Sequence, residues 1–145
     1  MKKFLFVAYF LAVGFSSMAA VRNINEKLLQ AFRETYPNAV QVNWMEYPET
    51  YVVYFAEQGV KATIIFNKDG KFVRSTRYYQ EENLPYYLVA AIKEKFPAKK
   101  IYSVTEISTA SGVDYYIKLE DAKTWMTLKL DSEGNIRVVE KFLKA

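Results

Sequence analysis

Residues 24–37, INEKLLQAFRETYP, and residues 84–97, LPYYLVAAIKEKFP, are two versions of one phrase. In the first, Ile24, Leu28, Phe32 and Tyr36 recur at intervals of four, and sixty positions later Leu84, Leu88, Ile92 and Phe96 do the same. Apolar residues four apart share one face of a helix, so both stretches read as amphipathic helices. Each ends on an aromatic residue followed by a proline, Pro37 or Pro97, which cannot continue the turn. Asn25 or Asn23 can cap the first helix. Asn83 can cap the second, with Pro85 in its first turn.

The correspondence continues downstream at an offset of 64. Tyr51, Val53 and Phe55 match Tyr115, Ile117 and Leu119, while Thr63, Ile64 and Phe66 match Thr127, Leu128 and Leu130. Asn67-Lys68-Asp69-Gly70 matches Asp131-Ser132-Glu133-Gly134, and Phe72 matches Ile136. The change of offset places four extra residues in the second copy, around Ser108 to Gly112, where the polar composition suits a longer hairpin loop. Each copy then reads as a helix followed by four strands, predicted at about 39–46, 51–57, 60–67 and 71–79, and at about 100–107, 114–120, 124–131 and 135–142. The turns between them are short, so consecutive strands are antiparallel neighbours.

Alternation assigns the faces. Gly70 and Gly134 suit the left-handed position of a three-residue hairpin turn. Leu128, Leu130, Ile136 and Val138 then point toward the helix, and in the first copy Val53, Phe55, Ile64, Phe66 and Phe72 do so. The opposite face is expected to carry Val52, Tyr54, Ile65, Val73, Arg77, Tyr116, Lys118, Trp125, Lys129, Arg137 and Val139. An antiparallel sheet covered on one side normally turns a polar second face to water. This one keeps Val, Ile, Tyr and Trp beside Arg and Lys. Val52, Tyr54, Ile65, Arg77, Tyr116, Trp125, Lys129 and Arg137 are therefore the candidate partner-binding residues. Trp44 reads as core, whereas Trp125 is open to a core or a binding role. Tyr78, Tyr79, Tyr86 and Tyr87 are expected to pack between the two copies.

The beginning of the chain differs in character. Lys2 and Lys3 precede an uncharged apolar run from Phe4 to Phe15 and a small-residue stretch ending at Ala19-Ala20. That is the pattern of a secretory signal peptide over residues 1–20, cleaved after Ala19 or Ala20. Its apolar run is shorter than the roughly 20 residues that span a bilayer, so no stable membrane insertion is expected after cleavage. Without Lys2 and Lys3, 18 of the 20 basic residues face 16 acidic ones, a net charge near +2. No basic stripe suggests nucleic-acid binding. The chain has no Cys, so stability must come from the core, which is feasible at this length.

In order, the helix ending in Tyr36-Pro37, Val42-Asn43-Trp44, Tyr51-Val52-Val53-Tyr54-Phe55, Phe66-Asn67-Lys68-Asp69-Gly70, and a second helix from Leu84-Pro85 to Phe96-Pro97 form a familiar arrangement. The chain resembles the PepSY-like, β-lactamase-inhibitor-like proteins exported by Bacteroidetes, over nearly all of its length beyond the leader. The resemblance implies an α+β fold of two tandem helix-plus-four-stranded antiparallel sheet units, like the β-lactamase inhibitor protein, with sheets that present a surface to a partner. It implies PepSY-like repeats at 21–80 and 81–145 packed as one domain, and a periplasmic or secreted location. It carries over no catalytic motif, and this chain lacks the paired cysteines of the inhibitor protein.

The chemistry left to the chain is narrow. Without His or Cys, no Ser-His-Asp or Cys-His arrangement exists and the common zinc sites lose their ligands. Glu81-Glu82, Glu120-Asp121 and Asp131 with Glu133 are carboxylate pairs, but they fall at strand ends and turns where exposed acids are routine. Asp131-Ser132-Glu133-Gly134 is too short for a calcium loop. The expected protein is not an enzyme and uses no cofactor or metal. It is expected to bind a protein partner of the cell envelope, as an inhibitor or modulator of an envelope enzyme. The alternative is a small-ligand or cell-wall-fragment binder with a pocket between the two repeats, lined by Tyr78, Tyr79 and Tyr86.

Overall fold

The computed structural model describes residues 24–145, so the signal-peptide segment and Asn23 lie outside the described residues. Helix α1 (Glu26–Thr35) leads into strands β1 (Val40–Glu46), β2 (Thr50–Glu57), β3 (Val60–Asn67) and β4 (Phe72–Tyr79). A single 3-10 turn (Glu81–Asn83) and helix α2 (Tyr86–Lys95) precede β5 (Lys100–Thr109), β6 (Gly112–Glu120), β7 (Thr124–Asp131) and β8 (Ile136–Leu143).

Asn25 caps α1, its side-chain oxygen accepting the Lys27 amide at 2.9 Å. Asn83 does not cap α2. Proline disfavours a helical conformation in the residue before it, and Leu84 is extended, at φ −80° and ψ 138°. The helix therefore starts one residue past Pro85, and Asn83 closes the preceding 3-10 turn. Both helices stop as their aromatic-proline ends require. The Tyr36 amide returns to the Phe32 carbonyl and the Phe96 amide to that of Ile92.

Where the sequence suggests two four-stranded units, the strands form one continuous antiparallel sheet in the order β1 to β8. The seam is the β4–β5 pairing, which sets Ser75 opposite Ser108, Arg77 opposite Glu106 and Tyr79 opposite Val104. The four extra residues of the second half explain its length. Glu46 opposes Tyr51 in one hairpin and Glu106 opposes Tyr115 in the other. Beyond that point β5 and β6 keep pairing out to Thr109 and Gly112, so the insertion lengthens strands instead of loosening a loop. Ile107, Ser108 and Thr109 then pair with Thr76, Ser75 and Arg74 across the seam.

Pairing partners in an antiparallel ladder share a face. Val53, Ile64, Ser75, Ser108 and Val113 form one such row, and Tyr79, Val104, Ile117 and Leu128 another on the same side. Both helices pack on this side. Phe32 of α1 meets Val53, Phe55 and Ile64, and Trp44 lies edge-on to Phe32 and stacks on Phe66. Leu88 and Ile92 of α2, fully buried, meet Ile101, Val104, Ile117, Leu119, Leu128 and Leu130. The other sheet face carries no helix among the described residues.

Two β-bulges revise the face assignments. Ile65 opposes Arg74 but Phe66 opposes Phe72, so Val73 is an extra residue in β4 and the alternation slips by one beyond it. Arg77, expected on the uncovered face, therefore points to the helix side, opposite Ala62 and Glu106. In β8 the extra residue is Val139, between Val138 and Glu140. Arg137 precedes that bulge and keeps its expected side. Val138 and Phe72 do lie on the helix side, yet both are nearly half exposed. The tyrosines at the junction separate as well. Only Tyr79 is buried, whereas Tyr78 lies on the uncovered face and Tyr86 and Tyr87 are exposed on α2.

Candidate functional site

The uncovered face is built strand by strand. β1 contributes Asn43 and Met45, β2 Val52 and Tyr54, β3 Lys61, Thr63 and Ile65, and β4 Arg74, Thr76 and Tyr78. Strands β5 to β8 continue it with Thr105, Ile107, Tyr116, Lys118, Trp125, Lys129, Arg137 and Phe142. Seven of the eight candidate residues thus share one face, and Arg77 alone does not. Val52 is 6% exposed there, enclosed between Met45 and Ile65 on its neighbouring strands. Tyr54 is 40% and Tyr78 49% exposed, so the face offers aromatic surface to solvent.

Two aromatic centres stand on it. In the first half, Tyr54 is bonded to Tyr47 and near Tyr78, and burial, followed by the Tyr47 hydroxyl, raises the Tyr54 phenol above its ordinary pKa. In the second half, Tyr102 meets the Trp125 ring edge-on at 4.9 Å. The ammonium groups of Lys118 and Lys144 lie over that indole at 4.9 and 4.4 Å from its centre. Such cation–π contacts contribute about 0.5–1 kcal/mol each at exposed sites. Trp125 is half buried, so its readings as core edge and as contact residue are both visible in its position.

Charge is unevenly spread over this face. Lys129 pairs with Asp114 at 2.8 Å, which raises the Lys129 ammonium, and Lys144 pairs with Glu120 at 2.8 Å. No acid faces this side from β1 to β5. Lys61, Arg74, Lys118 and Arg137 have no carboxylate partner among the described residues. Arg74 and Tyr78 were legible only by counting strand positions from beyond the β4 bulge. Tyr102 sits beside another irregularity, between Ile101 and Ser103, and no periodicity pointed to it.

The helix side holds a second feature. Glu106, almost fully buried at the seam, accepts the Tyr79 hydroxyl at 2.5 Å and Arg77 Nη1 at 3.1 and 3.3 Å. Burial first, then the Glu106 carboxylate, pushes the Tyr79 phenol far up, so it stays protonated and donating. Beside this cluster, between the end of α1 and the start of α2, lies a groove of about 260 Å³. Tyr36, Asn83 and Arg77 line it, but not Tyr78 or Tyr86, and Tyr79 is packed beneath the seam instead. Asp114 and Asp131 stand opposite each other on β6 and β7, and the Asn135 amide donates to both Asp131 and Glu133, while no cluster of three or more metal-binding side chains occurs among the described residues. No helix among the described residues is long and apolar enough to cross a membrane.

A single antiparallel sheet with two helices on one face defines an α+β fold of the β-lactamase-inhibitor-protein-like (BLIP-like) kind. Among solved structures, a BLIP-like protein from Bacteroides fragilis has this fold with a TM-score of 0.60 at 16% identity, over 83% of this chain and 86% of that one. A DUF2874 family protein from Bacteroides uniformis superposes with a TM-score of 0.58 at 15% identity, over 83% and 90% of the two chains. A protein from Bacteroides eggerthii, described as a candidate periplasmic protein, gives 0.57 at 16%, over 83% and 89%. No family model matches this chain, and no curated protein is significantly similar to it in sequence.

Proposed function

We propose that this chain is a non-catalytic binding protein of the cell envelope that grips a protein partner on its uncovered sheet face, as an inhibitor or modulator of an envelope enzyme. The observation that carries this reading is the composition of that face. Tyr78 stands opposite Lys61 and Ile65 opposite Arg74, cations without carboxylate partners among the described residues, and Tyr54 and Trp125 add aromatic surface. Strands β1 to β5 add no acid, the acids of the face (Asp114, Glu120, Asp131 and Glu140) lying on β6 to β8. Aromatic anchors supply most of the affinity at interfaces, and unpaired cations select a partner carrying carboxylates around an apolar centre. The periplasmic or secreted location rests on the leader pattern and on the B. eggerthii neighbour. The two halves, 21–80 and 81–145, derive in this reading from one PepSY-like unit duplicated and fused through β4 and β5, which explains why the sheet is wide enough for a partner.

Capture from an envelope extract tests the proposal, using the purified protein and its Tyr54→Ala, Trp125→Ala and Ala90→Ser variants. Ala90 is exposed on α2 and serves as the control on the other side. A specific partner should be retained by the wild type and Ala90→Ser, and lost or weakened more than about tenfold in the two face variants. Retention should also fall as salt is raised. Equal capture by all four proteins would reject the site.

A further inference from the structure

The groove between the helices differs from its counterpart in the second half in a way that identifies what it would hold. In the second half the equivalent positions carry a larger or a paired side chain. Met126, opposite Leu119, is buried in the core there, and the Lys99 ammonium is bonded to both Asp121 and Thr124. That carboxylate is held well below the usual range by Lys99 first and then by the Lys123 amide.

The first half has the same framework with other side chains at these positions. Ala62, opposite Phe55, stands where Met126 stands, and Val60 where Thr124 stands. Ala39 takes the position of Lys99, each donating its amide to the carbonyl of the aromatic helix cap, Tyr36 or Phe96. Glu57 takes the position of Asp121. It therefore lies half buried at the groove with no ion pair or side-chain hydrogen bond among the described residues.

At the other side of the floor, Arg77 uses only Nη1 on Glu106. A guanidinium carries five N–H donors, and those on Nε and Nη2 have no acceptor among the described residues. Between the spare acid and the half-used cation run the apolar side chains of Phe55, Val60, Ala62 and Ile64.

We infer that this groove is a binding site for a small zwitterion with an apolar body, of amino-acid to dipeptide size. Its ammonium sits on Glu57, where Lys99 provides the internal equivalent in the second half. Its carboxylate takes the free edge of Arg77, and its apolar part covers Ala62. The groove's volume of about 260 Å³ is just below the usual range for ligand pockets, which limits the occupant to that size.

Amide-resolved NMR titration tests this with L-leucine, Leu-Leu and 6-aminohexanoate as zwitterions, and hexanoate and hexylamine as single-charge controls. At least one zwitterion should give saturable shifts at millimolar concentration around Ala62, Ser75 and Arg77, about tenfold tighter than either control. Glu57→Gln should weaken it about tenfold. Ala39→Lys, which supplies the ammonium internally, should abolish binding while leaving the protein folded. Absence of saturable shifts with all three zwitterions, equal binding of the single-charge controls, or undiminished binding by Ala39→Lys would each overturn the assignment.

Discussion

Replacing Tyr79 by Phe removes one oxygen from the seam between the two halves of the sheet and leaves the ring in place. The ring is 4% exposed, so the change creates no cavity for a side chain to fill. What is lost is the 2.5 Å bond from the phenol to Glu106 Oε2. A hydrogen bond to a charged group contributes about 1.5–3 kcal/mol, and a buried carboxylate deprived of a donor pays part of its desolvation again. Arg77 remains on the same carboxylate, and its half-exposed side chain lets water approach, which favours the lower part of that range. The expected cost is about 2 kcal/mol, or a fall in Tm of about 6–10 °C for a chain of this length. Urea unfolding followed by tryptophan fluorescence measures it, with an unchanged m value indicating that the native state is intact. In a double-mutant cycle with Glu106→Gln the coupling should reach about 1–2 kcal/mol. A Tyr79→Phe protein within about 0.5 kcal/mol of wild type would refute the view that this cluster ties the halves together.

Acid should act through Asp121. Its folded pKa is below its unfolded value of 3.8, so its contribution is complete above that pH and is lost as the pH falls through the folded value. Asp121→Asn should be less stable than wild type at pH 7, and the gap should close on acidification, as read by denaturation midpoints. Leu88→Ala empties a fully buried position under α2 and should cost about 2–5 kcal/mol by urea unfolding. Gly70 has φ +77° with nothing within 4 Å of where a Cβ would stand. Gly70→Ala should therefore cost about 1 kcal/mol, all of it backbone strain, measurable as a shifted midpoint at constant m value.

Much of this arrangement was written in local signals. Helix positions follow from apolar residues four apart and from the aromatic-proline stops, and hairpins from Gly70 and Gly134, whose φ values of 77° and 86° are left-handed as expected. The eight strands fall within three residues of their expected ends. Pairing across the seam was not local, because β4 and β5 are separated by a helix and nothing in either strand marks its partner. Bulges were the other blind spot. Val73 shifted Arg77 to the helix side, whereas the bulge in β8 comes after Arg137 and spares it. Comparing the two halves could not reveal this, since the bulges of β4 and β8 sit at non-equivalent positions. The differences at Glu57 and Ala62 acquire meaning only in the structure, which brings both residues to one groove.

The account's central claim, that the uncovered sheet face holds the partner, is met most directly by site-specific photo-crosslinking in the producing cell. A benzophenone side chain at Tyr54 or Tyr78, both 40% or more exposed on that face, is compared with one at Ala90 on the outer side of α2. The account predicts one discrete crosslinked protein band from the two sheet-face positions and none from Ala90. A band from Ala90 alone, with Tyr54 and Tyr78 silent, would contradict it.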